Sequence, residues 1–216
     1  MGLAKFQKLI DTSPRVARWV RRSRLFGAMQ QRKLRRWEAA GRPVPVPNIV
    51  KQRAVLDYGR RFGLRVLVET GTFYGAMLLA ARPHFERLYS IELDNYLHQR
   101  ARRLFAGDSG VHLAHGDSGK QLAGVLAELT QPALFWLDAH YSGAGTARGP
   151  LDTPIVAELL AIFRHPITGH VILIDDARDF GRLPDYPPID DLRRMVAQHK
   201  PGHTCEVRDD IIRIHA

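Results

Sequence analysis

Carboxylates follow short apolar runs at five points in this 216-residue chain. The stretches read Glu69-Thr70-Gly71-Thr72-Phe73-Tyr74-Gly75, Glu92-Leu93-Asp94, Gly116-Asp117-Ser118, Asp138-Ala139-His140 and Asp175-Asp176. A single acid after a strand is common. Five at one edge of a sheet repel one another, so the pattern calls for a ligand that is cationic or rich in hydroxyl and amine donors. Gly71 and Gly75 let the backbone pass close to such a ligand and turn into a helix. There is no third glycine and no lysine in that loop, which excludes a pyrophosphate fingerprint and a P-loop. Glu92 lies 23 residues after Glu69, where a carboxylate at a strand end accepts both hydroxyls of a ribose.

The elements that must position these residues alternate. The apolar runs predict strands at 65–69, 88–91, 111–115, 134–138 and 170–175. Helical patterns follow at 75–82, 94–105, 118–129, 151–163 and 189–198. That alternation predicts a Rossmann-like, doubly wound, mostly parallel sheet with helices on both faces. The tail differs: 204–207 and 211–215 flank Arg208-Asp209-Asp210 and read as an antiparallel hairpin that closes the sheet. A helix over 50–61 precedes the first strand. In open sheets of this kind ligands sit beyond the carboxyl ends of the strands, near the point where strand order reverses.

The net charge of +10 belongs to one part of the chain. Residues 1–53 hold 14 Lys/Arg and 2 Asp/Glu, whereas residues 54–216 hold 18 and 20. Two parts follow: a basic helical extension with a proline connector over 1–48, and an α/β domain over 49–216. Ser13-Pro14 starts an amphipathic helix that reaches about Ala40, with Gly27 as a possible break. Val16, Trp19, Val20, Phe26, Leu34 and Trp37 share its apolar side. Prolines 43, 45 and 47 make an extended connector. The basic face over 14–37 is open to four readings: a lid on the domain, contact with an anionic membrane surface, contact with nucleic acid, or an organelle presequence. An exposed tryptophan face would also invite a homodimer. Cys205 is the only cysteine, which excludes a disulfide framework and a zinc cluster. No apolar run approaches a membrane span, and the start lacks a secretory core and a myristoylation serine. The expected location is cytoplasmic, with peripheral contact at the inner membrane face as a variant.

A ligand with a ribose, an amine and a sulfonium but no phosphate meets every requirement above, and S-adenosylmethionine is such a ligand. Over about residues 50–216 the chain resembles the class I S-adenosylmethionine-dependent methyltransferases. The resemblance is carried by Val68–Gly75, Tyr89–Leu93, His115–Ser118, Phe135–Gly143 and Ile172–Arg178. It implies that Glu69 and Gly71 meet the methionine part, with Thr70, Thr72, Tyr74 and Gly75 in the same loop. It implies that Glu92, followed by Leu93, holds the ribose. Asp117 would hold the adenine amine, with Ser118 beside it, and Asp138 would lie next to the transferred methyl.

A finer resemblance is to the metal-dependent sugar O-methyltransferases of macrolide and aminocoumarin biosynthesis, the macrocin and mycinamicin type. It implies Mg²⁺ held by Asp138, Asp175 and Asp176, which suits hard oxygen ligands. Those enzymes lack the Asp138–Gly143 loop and the arginine-rich start, so their substrate does not carry over. His140 is a candidate base, or a residue that orients its loop or binds a substrate hydroxyl. Gly143, Gly145, Thr146, Arg148 and Gly149 suit a loop that closes over substrate. The expected acceptor is a sugar-like or other polar small molecule with a hydroxyl. Methylation of RNA or DNA is the alternative enzyme, disfavoured by the slightly acidic domain and by the lack of a flipped-base motif. A non-catalytic scaffold that binds S-adenosylmethionine is the alternative of another class.

Overall fold

The computed structural model describes residues 23–138 and 153–216. Helix α1 (Arg24–Ala39) and helix α2 (Asn48–Arg61) come first. The alternating part follows: β1 (Val66–Thr70), α3 (Ala76–Ala81), β2 (Arg87–Glu92), α4 (Asn95–Leu104), β3 (Val111–His115), α5 (Ser118–Glu128), β4 (Leu134–Leu137), α6 (Ile155–Arg164) and β5 (Val171–Ile174). A single 3₁₀ turn (Ala177–Asp179), α7 (Ile189–His199), β6 (Thr204–Arg208) and β7 (Ile211–His215) complete the fold. The strand order is β3-β2-β1-β4-β5-β7-β6. Strands β1 to β5 pair in parallel, and β7 is antiparallel to both β5 and β6. The order reverses between β1 and β4.

Side-chain alternation along the strands splits the core into two layers. Val66 and Val68 of β1 pack with Leu122, Leu159 and Leu192 of α5, α6 and α7. Leu67 packs the other way, with Val55, Leu78 and Leu104 of α2, α3 and α4. Strands β1, β4 and β5 are buried throughout; β4 and β5 are unbroken apolar runs, and β1 is apolar up to its buried Glu69 and Thr70. The closing hairpin turns on Asp209 and Asp210, both with positive φ (52° and 58°). That is the two-residue geometry matching the twist of a hairpin.

The start of the chain differs from its sequence reading in three ways. Gly27 does not break α1, which begins at Arg24 and is capped by Ser23, whose hydroxyl accepts from Phe26 N at 3.2 Å. Helix α2 begins at Asn48, directly after Pro47. Trp37 is not part of an exposed face. It is 7% exposed, packed with Leu34, Val46 and Val50, and its Nε1 donates to Pro43 O at 2.8 Å. Val46 of the connector is thus part of a small core rather than of a free spacer. Residues 14–22 of the expected amphipathic helix, with Val16, Trp19 and Val20, lie outside the described residues.

Candidate functional site

The first loop is shaped by backbone conformation. Gly71 and Gly75 have φ of 83° and 72°. A Cβ on Gly75 would meet Leu104 and Phe105 side chains at 3.2 and 3.3 Å, so this turn needs glycine on both counts. Phe73 also has positive φ (48°) and is 51% exposed. That conformation is costly for a bulky residue. It is held by Phe73 N, which donates to Glu92 Oε2 at 2.7 Å. Tyr74 stacks edge-on against Phe73 with centroids 4.5 Å apart, and Arg100 donates to Tyr74 O at 2.9 Å.

The strand pleat puts Glu69, Ser90 and Glu92 on one face, with α2, α3 and α4. Ser90 Oγ donates to Glu69 Oε2 at 2.7 Å and lies 2.7 Å from Thr72 Oγ1. Burial pushes the Glu69 carboxyl well above its ordinary pKa, and the charges of Asp138 and Glu92 add to the rise. Burial raises Glu92 too, against the N–H donors of Asp94 and Phe73. The second Glu92 oxygen accepts from Asp94 N at 2.9 Å. Both oxygens are thereby fixed in direction beside the glycine turn, with Leu93 half-buried next to them.

Asp117 is the N-cap of α5 and accepts from Gly119 N at 3.0 Å. Ser118 is buried beside it. Thr70 faces the opposite side from Glu69. Its backbone O and hydroxyl accept from Asp138 N at 3.1 and 3.3 Å, and its hydroxyl donates to Glu158 of α6, as does that of Ser118.

Glu158 is 1% exposed. Burial pushes its carboxyl from 4.5 to about 7. Its Oε1 has no hydrogen-bond partner among the described residues. It lines a small pocket with Asp138, Thr153, Asp175, Phe180 and Tyr186.

Asp138, Asp175 and Asp176 each offer an oxygen within 4.8 Å of the others. A cation of the chain itself meets them. Lys51 Nζ of α2 donates to Asp175 Oδ2, and to Asp176 Oδ1 at 3.2 Å. Burial works against the Lys51 charge, but Asp175, Asp138 and Asp176 outweigh it and raise its pKa. Burial and the Asp138 charge push Asp175 well up, while Lys51 opposes them. Asp176 has a left-handed backbone (φ 54°). Arg178 Nη1 donates to Asp176 Oδ1 at 2.8 Å and also to Asp210 of the hairpin turn.

Patterning alone does not single out Lys51 and Glu158. Each is a charge on an apolar helical stripe: Lys51 with Val55 and Tyr58, and Glu158 with Ile155, Leu159 and Ile162. Lys51 stands four and seven residues before Val55 and Tyr58, and Glu158 three after Ile155 and four before Ile162, so each charge falls on the buried face once that face is known. His140 and the loop with Gly143, Gly145, Thr146, Arg148 and Gly149 lie outside the described residues, as do the first two residues of the expected 151–163 helix.

No protein-family model matches the chain, and no curated protein matches it by sequence. Solved structures do. The O-methyltransferase from Bacillus cereus in complex with S-adenosylhomocysteine is 16% identical, with a TM-score of 0.56 over 86% of this chain and 90% of that one. TomG, the O-methyltransferase from Streptomyces achromogenes involved in tomaymycin synthesis, in complex with S-adenosylmethionine, is 18% identical. Its TM-score is 0.56 over 85% and 86%. The S-adenosylhomocysteine-bound methyltransferase PaMTH1 from Podospora anserina is 16% identical, at 0.53 over 85% and 86%. These likenesses show the fold: a Rossmann-like, mostly parallel sheet with a C-terminal antiparallel hairpin, shared with these solved methyltransferases.

Proposed function

We propose that this protein transfers a methyl group from S-adenosylmethionine to a hydroxyl of a sugar or other polar small molecule. The observation that carries the reading is Glu92. Its carboxylate is aimed by two backbone N–H donors beside the Gly71–Gly75 turn, next to where the strand order reverses. The donor chemistry fits the cofactor. Glu92 would take the ribose hydroxyls, the loop from Glu69 through Thr72, Tyr74 and Gly75 the methionine end, and Asp117 with Ser118 the adenine. Asp117 has one oxygen in the helix cap, and its second is the one proposed for the adenine amine.

When bound, S-adenosylmethionine supplies an electrophilic methyl on a sulfonium, which leaves as a neutral thioether. The rest is positioning. An acceptor hydroxyl against Asp138 gives its proton to a carboxylate as its oxygen forms the new bond. His140 is the other base proposed. The acids in the cleft must be balanced by a cation. Mg²⁺ on Asp138, Asp175 and Asp176 is one way. Lys51, which already bonds two of the three, is the other.

The basic face of α1 remains proposed as a peripheral contact for an anionic membrane surface. Leu25 and Met29 are exposed there beside Arg32, Lys33 and Arg36, and no helix among the described residues is long and apolar enough to cross a membrane. Incubation with methyl-labelled S-adenosylmethionine and a panel of sugars, sugar nucleotides and amines tests the acceptor class. Label appearing on hydroxyl-bearing acceptors supports the reading, and label confined to amines refutes the O-methyl assignment.

A further inference from the structure

Three carboxylates whose oxygens lie within 4.8 Å cannot all stay ionised without a nearby cation. Among the described residues, the side chains are arranged as if that cation were already present. Asp175 Oδ2 accepts from Lys51, and its Oδ1 accepts from Asp176 N at 2.8 Å. Asp176 Oδ1 accepts from both Lys51 and Arg178. A divalent ion taking these oxygens would have to displace an ammonium from two of its three ligands.

Lys51 is not a wandering surface lysine. Its side chain is 15% exposed. The turn of α2 that carries it is held on both sides. Gln52 Nε2 donates to Ala76 O at 3.1 Å, at the start of α3. Val50 packs with Leu34, Trp37 and Val46. An ammonium has three N–H donors, and two of them point at Asp175 and Asp176. The third is left for an oxygen in the cleft.

We infer that Lys51 is the built-in cation of the acceptor site, holding the place of a divalent metal and donating a hydrogen bond to the acceptor oxygen, so that the enzyme works without metal. What the site acts on rests on the methyltransferase reading. The cation that fills it is tested apart from that reading.

The test uses the full-length protein, Mn²⁺ and Mg²⁺ alone, and the variants Lys51→Met and Lys51→Arg. Lys51→Met keeps the length and removes the charge. The wild type should leave the Mn²⁺ paramagnetic resonance signal unchanged, and its Tm should move by less than about 1 °C in about 10 mM Mg²⁺. Folded Lys51→Met should bind about one Mn²⁺ per chain with a Kd below about 1 mM, the range of carboxylate sites, and Lys51→Arg should bind none. Mn²⁺ uptake by the wild type overturns the inference, as does a folded Lys51→Met that binds none. Should Lys51→Met not fold, the wild-type and Lys51→Arg titrations decide: silence in both supports the inference, and uptake in either overturns it. Failure of the cofactor reading shows elsewhere, as absent S-adenosylhomocysteine binding.

Discussion

Replacing Glu158 by glutamine should make the protein relatively more stable as pH rises. The carboxyl is fully buried, it accepts from Ser118 and Thr70, and its other oxygen has no partner among the described residues. Burial moves its pKa from 4.5 to about 7. The folded state therefore keeps a proton that the unfolded chain releases near pH 4.5. The associated stability is fully present below about pH 4.5 and is lost as pH climbs through about 7. A difference of about 2.5 units at 1.36 kcal/mol each makes the loss about 3 kcal/mol. The substituted glutamine has no proton to lose. Its amide oxygen still accepts from one hydroxyl, and that change is independent of pH. Urea unfolding of wild type and Glu158→Gln at about pH 5 and about pH 8.5 isolates the effect, because the other titrating groups are shared. Because about 0.8 kcal/mol is already lost at about pH 5, the stability difference should shift by about 2.5 kcal/mol toward the variant at the higher pH. A difference constant within about 0.5 kcal/mol would refute the claim that a buried carboxyl with one unpartnered oxygen among the described residues lies under the cleft.

Other expectations follow from single features. Gly75→Ala combines positive φ with contacts of 3.2 and 3.3 Å, and should cost about 1–3 kcal/mol by urea unfolding; an unchanged midpoint would show that the turn relaxes freely. Trp37→Ala should remove the small core that holds the start of α2, so the amides around Val50–Gln52 should exchange hydrogen at least about tenfold faster. Unchanged exchange there would mean that α1 does not hold α2. His170 is pulled to about 4, by burial first and by His165 next. Its neutral form is the native one, so its contribution falls away as pH drops from 6.5 toward about 4, and His170→Phe should flatten that part of the acid unfolding curve.

The parallel sheet, its hairpin and the strand-end acids were legible because all of them rest on local patterns. Buried strands read as apolar runs, and the carboxylates follow them at fixed offsets. Asp117 carries two readings at once: one of its oxygens caps α5, and the adenine role is proposed for the other. Lys51 and Glu158 were not legible in the same way. Each comes to the cleft from a helix far along the chain from its partners, and Lys51 sits in a stretch so basic that one more charge reads as solvated. The clue was burial periodicity, visible only when the charged positions are placed on the same wheel as Val55 and Tyr58, or Ile155 and Leu159. Gly27 misled in the opposite direction. Its propensity cost is about 1 kcal/mol, too small to break a helix capped by Ser23 and anchored by Leu34 and Trp37.

Calorimetric titration of the wild type and Glu92→Ala with S-adenosylhomocysteine tests the central claim most directly. The wild type should bind one equivalent in the micromolar range, and loss of the aimed carboxylate should weaken binding about 10- to 100-fold, the worth of about 1.4–2.8 kcal/mol of charge-assisted hydrogen bonding. No heat from the folded wild type at millimolar ligand, or equal affinity in the variant, would contradict the account.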